Sequence, residues 1–411
     1  MQDTLIAYYN DLLAKNPDIA GLNLDYIRYP VSTSLEDTGF TMSAMKGFYE
    51  LIGKEFSATQ LGDRTKMYNK FAQLFNKSYL MGGQKEADAN YKKWVDYRMS
   101  VITEYVRRIK NEVKEPNDIM LSTAVFASLQ ESTETKKQDW QLWFKNGWID
   151  IATPMAYYNN ENDVNLRVKD MILMSGNNCM YYAGLASSYS GLPAWQNKEH
   201  IEASYSAGAN GYVIFCSTQI IGHKDVQDAL KSGVNSKWAV LPHAAISDVL
   251  AGYFNDILDK ADRLYIPAGG MTEQNKADLE AIFAEIAAMN DDDAQGIHDI
   301  EQRIKAFVKS EVKNYAKGYS RQRIIEQLQE LVDLLDARVS MQLIEDGDWN
   351  PEENSTRPSL GNDDSNTNQP DDNNGGNTGD DNNVTETPEP NFFIRLINLI
   401  IEFFKKLFGI K

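Results

Sequence analysis

Cysteine is nearly absent. Two residues in 411, Cys179 and Cys216, exclude a disulfide-built scaffold. They lie far apart, each in an apolar run, and read as buried free thiols. Blocks of lysine or arginine and zinc-finger spacings are also missing, so nucleic acid is not an expected partner. His223, the one histidine near a strand end, has no second ligand at a suggestive spacing, and neither a metal site nor a cofactor is expected. The first seventeen residues, MQDTLIAYYNDLLAKNP, lack a basic start followed by an apolar run and do not read as a signal peptide. Leu5, Tyr8, Tyr9, Leu12 and Leu13 instead share one face of a helix.

What is abundant is acid, but unevenly so. The formal charge is −18, and ten acidic residues against the single Arg357 between Pro351 and Pro390 supply about half of it. That segment is rich in Asp, Asn, Gly, Thr, Pro and Ser and cannot bury enough apolar surface to fold, so residues 346–390 are expected to be a disordered acidic linker. The whole chain has 42% hydrophobic residues, ample for a large core. At 411 residues it is long enough for two or three units.

From Ile19 to about Lys231 short apolar runs alternate with amphipathic stretches. Strands are expected at IAGLNLDY from Ile19, IMLSTAVFA from Ile119, IDIATPMAY from Ile149, CMYYAGLAS from Cys179 and GYVIFCS from Gly211. Helices are expected over 136–145, 164–175, 198–207 and 224–231. Strands apolar on both faces and separated by helices point to a parallel α/β sheet. Residues 31–90 interrupt it as an insertion suited to a lid or cleft subdomain, followed by a helix over 91–113. Over 241–345 heptad-like spacing takes over, as in Leu279, Ile282, Phe283 and Ile286, and predicts an α-helical bundle. The final segment, NFFIRLINLIIEFFKKLFGIK, places Arg395, Asn398, Glu402 and Lys405 as one polar stripe on an otherwise apolar helix. Residues 391–411 therefore suit a membrane surface better than a membrane span.

The stretch Gly21 to Pro30, GLNLDYIRYP, carries the chemistry. A strand that only supports a core should end in turn residues, whereas this one ends in Asp25, Arg28 and two tyrosines. Alternation sets Gly21, Asn23 and Asp25 on one face and Leu22, Leu24 and Tyr26 on the other, with the apolar set expected under helices. Arg28 and Tyr29 are then placed to bind hydroxyls or to hold the Asp25 carboxylate ionised.

These residues, preceded by Asp18, resemble the fourth-strand motif of the bacterial glycosyl-hydrolase-like family 10 domain. YKKWVDYRMSVITEYVRRIK, LSTAVFASLQES, QDWQLWFKNGWIDIATPMAYYNN, YYAGLAS and GANGYVIFCS follow in that family's order, so the resemblance spans about Asp3 to Ser217. Ala20 departs from it, standing where the family usually has Asp. The resemblance implies a TIM barrel, here a partial (β/α)8 barrel of strands four to eight over 1–240. The first three strands have no counterpart, and five strands cannot close such a barrel. An incomplete chain is expected, the alternative being a partner or rearrangement that covers the open edge.

The implied activity is hydrolysis of a β-linked glycan of the bacterial cell envelope or an extracellular amino-sugar polymer, at the cell surface. Two carboxyl groups are usually needed. Asp25 is the first, and Glu131, shortly after strand five, is taken as the second; Glu161 is a further candidate. Asn23, Arg28, Tyr29, Tyr157 and Tyr158 are expected to bind the polysaccharide. PMAYY also resembles the Met-x-Tyr of chitinases and leaves a substrate-assisted route open, although Ile27 and Arg28 follow Tyr26 where chitinases have Glu. Trp140 and Trp143, three apart, are expected to pack a helix onto the sheet. The competing class is a non-catalytic glycan-binding or surface scaffold protein.

The tail generates the first prediction. Fused to a soluble reporter, residues 391–411 should carry it to anionic vesicles and gain helicity on binding, with salt weakening the attachment. Phe403→Ser with Phe404→Ser should abolish the association. A reporter that stays in solution beside the vesicles contradicts the membrane-surface reading.

Overall fold

The computed structural model describes residues 1–30, 38–75, 89–187, 191–232, 239–351, 353–354 and 356–360. The acidic linker beyond 360 and the 391–411 helix therefore lie outside the described residues, as do parts of the 31–90 insertion. Residues 1–363 make one compact unit. Among the described residues no helix is long and apolar enough to cross a membrane.

A five-stranded parallel sheet organises the first half. Its strands are β1 (Gly21–Leu24), β2 (Met120–Phe126), β3 (Ile151–Met155), β4 (Met180–Ala186) and β5 (Gly211–Phe215), hydrogen-bonded in sequence order. All five anticipated strands form, each shorter than its apolar run. The register pairs Asn23 with Ser122, Ser122 with Ile151, Ile151 with Met180, and Tyr182 with Gly211. Gly21 is fixed by contact, because a Cβ there would stand 2.7 Å from the Met120 carbonyl oxygen.

One face of the sheet is covered by helices. Leu24, Leu121, Val125, Ala152 and Tyr181 share a core with Val106 and Ile109 of the helix Ala89–Ile109 and with Trp140, Trp143 and Phe144 of the helix Trp140–Lys145. Trp140 and Trp143 are fully buried there, and the Trp143 indole donates to Thr103 Oγ1 at 3.1 Å, so both tryptophans pack helix against sheet. The expected helix over 136–145 begins only at Trp140. Asp139 caps it, and Lys137 before it adopts the left-handed conformation (φ 61°), which breaks the helix. The first helix, Gln2–Lys15, is turned from its expected orientation. Ile6 and Leu13 are buried while Leu5 and Tyr8 are exposed, because the helix lies along 89–117 through Tyr9–Tyr105, Asn10–Asn117 and Gln2–Val101 contacts.

The other face is divided. At the starts of the strands, Met180 is fully buried and Ile151 and Tyr182 half-buried in the core of the C-terminal helices. These are Ile246–Lys260, Glu273–Ala287, Ala294–Ala306 and Gly318–Glu345, whose buried residues include Leu279, Phe283, Ile300, Ile304, Leu328 and Leu335. The Tyr182 hydroxyl stands 2.6 Å from His243 Nδ1, and Arg338 donates to the carbonyls of Pro242 and Ala244. Toward the strand ends the described residues leave the same face more open, with Val213 and Phe215 each 44% exposed and Phe126 and Met155 half-buried.

Within the insertion, described residues build their own aromatic core. Phe40, Phe48, Tyr49, Phe56, Phe71 and Trp94 join the helices Met42–Leu51 and Arg64–Phe71 to the start of the Ala89–Ile109 helix.

The sheet–bundle junction predicts a pH dependence. Burial, helped by the nearby Arg338 charge, holds His243 below the ordinary imidazole value, and burial does the same to His200. At pH above the unfolded value of about 6.5 both states are neutral and nothing is lost. As pH falls through about 6.5 toward the folded value, the unfolded chain takes the proton first and stability drops. The urea midpoint should therefore fall on acidification from about pH 7.5 to about pH 5, and fall less in His243→Gln. Equal falls in the two proteins would show that His243 is not at this junction.

Candidate functional site

The turn after β1 is built by local hydrogen bonding. Asp25 Oδ1 accepts from the Tyr26 amide at 2.7 Å, and the Arg28 amide donates to the Tyr26 carbonyl at 2.7 Å. Tyr26 between them is left-handed (φ 54°), which ends the strand's alternation. The expectation that Tyr26 packs under helices is thus corrected. It is 76% exposed, and Ile27 enters the helix-side core in its place.

Gln138 clips this turn to the end of β2. Fully buried, its amide nitrogen donates to the Ile27 carbonyl at 3.1 Å and its oxygen accepts from the Phe126 amide at 3.1 Å. The Tyr29 amide donates to the Lys136 carbonyl at 2.9 Å, and Ser132 Oγ donates to the Gln138 carbonyl at 3.1 Å. The loop 127–139 and the turn 25–29 are therefore held as one surface at the C-terminal ends of β1 and β2.

On this surface two carboxylates each meet a cation. Arg28 Nη1 is 3.5 Å from Asp25 Oδ1, and Lys136 Nζ is 3.7 Å from Glu131 Oε1. The cations are the buried partners: the side chains of Arg28 and Lys136 are 11% and 4% exposed, those of Asp25 and Glu131 46% and 47%. Both cations lie against the ring of Phe126, the last residue of β2, at 5.3 and 4.4 Å from its centroid. Arg28 also lies 4.3 Å from the Tyr26 ring centroid. Burial pulls the Lys136 amine below its ordinary value; Glu131 opposes this and the Arg28 charge adds to it.

Magnitudes decide what this arrangement means. Removing a cation from water costs several kcal/mol. An ion pair with a half-exposed carboxylate returns about 1 kcal/mol, and a cation–ring contact about 1–2 kcal/mol. The two cations are under-compensated by the groups around them.

The other expected site residues divide among three places. Asn23 lies lower on β1, exposed, with Oδ1 accepting from Ser122 Oγ at 2.9 Å. Tyr158 is near the cluster: burial pushes its hydroxyl up, Arg167 opposes, and the charge of Glu131 adds to the rise. Tyr157 lies toward β5 and stacks on Phe215 at 5.7 Å. Tyr29 faces the insertion, its ring 5.5 Å from the buried Arg98 guanidinium, which donates to the Thr38 carbonyl at 2.6 Å. Glu161 opens the helix Glu161–Ser175, and His223 precedes the helix Lys224–Leu230. Among the described residues no group of three His, Cys, Asp or Glu could hold a metal ion. Cys179 is free and buried, its thiol pushed up to about 12 by burial; Cys216 is free and half-buried.

Sequence reasoning missed Lys136, Phe126 and Gln138. The sequence reading starts a helix at Lys136, and nothing in the spacing of STETKKQDW shows that Lys136 turns inward. A groove of about 2780 Å³ is a separate feature between the β5 edge and the C-terminal helices, with Tyr205, Tyr253, Asp256 and Glu330 among its walls. It shares no wall residue with the strand-end cluster, where the paired chemical groups are. No family model matches the chain, and no curated protein matches it.

Gln138→Ala should destabilise the protein by about 1–3 kcal/mol, since it leaves the Phe126 amide and the Ile27 carbonyl without their partner. Urea unfolding measures this, and a change below about 0.5 kcal/mol contradicts the clip.

Proposed function

We propose that the protein is a glycoside hydrolase acting on a β-linked glycan of the bacterial cell envelope, with Asp25 and Glu131 as its carboxylate pair. The observation that carries the reading is the convergence of these two half-exposed carboxylates at the ends of adjacent parallel strands. Strand C-terminal ends are where α/β folds assemble catalytic groups from successive loops. One carboxyl group protonates the leaving oxygen, and the other activates water or attacks the anomeric carbon. Tyr26, exposed and backed by Arg28, offers a ring face to a sugar, and Tyr158 offers a protonated hydroxyl. The likeness of GLNLDYIRYP and the later motifs to the glycosyl-hydrolase-like family 10 domain supports the same reading. It also carries the proposal that the sheet is an arc of a (β/α)8 barrel and that the protein works at the cell surface, with 391–411 resting on a membrane.

One observation favours a second reading, glycan binding without turnover. Each carboxylate already faces a cation, an arrangement that holds a ligand as readily as it transforms one.

Release of new reducing ends from peptidoglycan glycans tests the two. Asp25→Asn and Glu131→Gln should each lower the rate about a hundredfold or more while leaving the circular dichroism and melting of the protein unchanged. Binding by the wild type with no reducing ends released favours the second reading. Full activity in folded Asp25→Asn overturns the assignment of that residue.

A further inference from the structure

We infer that the strand-end site receives a sugar bearing a carboxylate, with Arg28 and Lys136 as the two cations that bind it. The inference rests on the glycan reading above and narrows it to acidic glycans.

Three observations carry it. First, Arg28 Nη1 is buried and has no hydrogen-bond partner among the described residues. Its nearest anion, Asp25, stands at 3.5 Å, and Glu131 stands at 3.7 Å from Lys136. Charge-assisted hydrogen bonds close to about 2.7–2.9 Å, so neither contact is one. Second, both cations lie against one ring, Phe126 at the C-terminal end of β2, at 5.3 and 4.4 Å from its centroid, and the Arg28 charge acts on the Lys136 amine, so the two positive charges share one neighbourhood. The guanidinium is further oriented by its contact with the exposed Tyr26 ring, which leaves its planar fork to match a carboxylate. Third, the negative charges at the rim set an upper limit on ligand charge. Asp25 and Glu131 are about half exposed and repel a polyanion or a doubly charged phosphate more strongly than one carboxylate. A neutral sugar, by contrast, leaves both buried cations as they are. The preferred ligand is thus a sugar with one negative charge per residue, its hydroxyls within reach of the rim carboxylates.

Methyl β-D-glucuronide and methyl β-D-glucoside differ at C6, where the first carries the carboxylate, and both can be titrated into the 411-residue protein by NMR. The glucuronide should bind about tenfold or more tightly than the glucoside, as expected for hydrogen bonds to a charged group, and added salt should shrink the difference. Arg28→Gln and Lys136→Gln should each remove most of the preference by lowering glucuronide affinity several-fold more than glucoside affinity. Equal affinity of the wild type for the two sugars overturns the inference and does not depend on how the variants fold. Acetate binding as tightly as the glucuronide also overturns it, since the site would then read charge and not sugar. Glucuronide preference without glycan cleavage leaves the inference standing and overturns the hydrolase reading. Cleavage of a neutral glycan with no glucuronide preference does the reverse.

Discussion

The structure depends on how an open parallel sheet covers its second face. Helices between successive strands cover one face of a five-stranded sheet automatically, because each crossover returns over the same side. The opposite face, apolar at Ile151, Met180 and Tyr182, has no such cover of its own. Here the C-terminal helices supply it at the strand starts, where Met180 becomes fully buried in their core and Tyr182 meets His243. Burying that surface contributes on the order of 25 cal/mol per Å² of apolar area. The helices after residue 245 are therefore part of the sheet's core as well as a bundle of their own.

That cover stops partway along the strands, and the stopping place positions the site. Beyond it, Phe126, Met155, Val213 and Phe215 stay open to solvent to different degrees, and the loops after β1 and β2 fold over the open end. Gln138 fixes these loops to each other, Phe126 supplies a ring, and Arg28 and Lys136 are buried against it. Among the described residues, these chemical groups collect at the C-terminal strand ends, where the face stays open.

Much of this was legible in the sequence. Five apolar runs gave five parallel strands in order, and the period-two alternation of GLNL placed Leu24 in the helix-side core and Asn23 on the other face. The heptad-like residues after Leu241 packed as expected. Alternation failed at Tyr26, because it holds only while the backbone stays extended, and the left-handed turn there sends Tyr26 outward and Ile27 inward. The first helix misled because apolar spacing gives a stripe but not which edge of it meets the neighbour; Ile6 rather than Leu5 does so. Lys136 was illegible for a different reason. Its burial is created by the turn from β1 lying over its loop, a tertiary fact absent from STETKKQDW. The role of the C-terminal helices in covering Met180 was equally hidden, since heptad spacing identifies a buried stripe without naming what buries it.

The division of the second face can be measured directly by carbene footprinting of the native protein, read residue by residue by mass spectrometry. The account predicts strong labelling of Val213 and Phe215 and protection of Met180, although all three lie on the same face of neighbouring strands. Labelling of Met180 as strong as that of Phe215 would contradict it, because the C-terminal helices would then not be seated on the sheet.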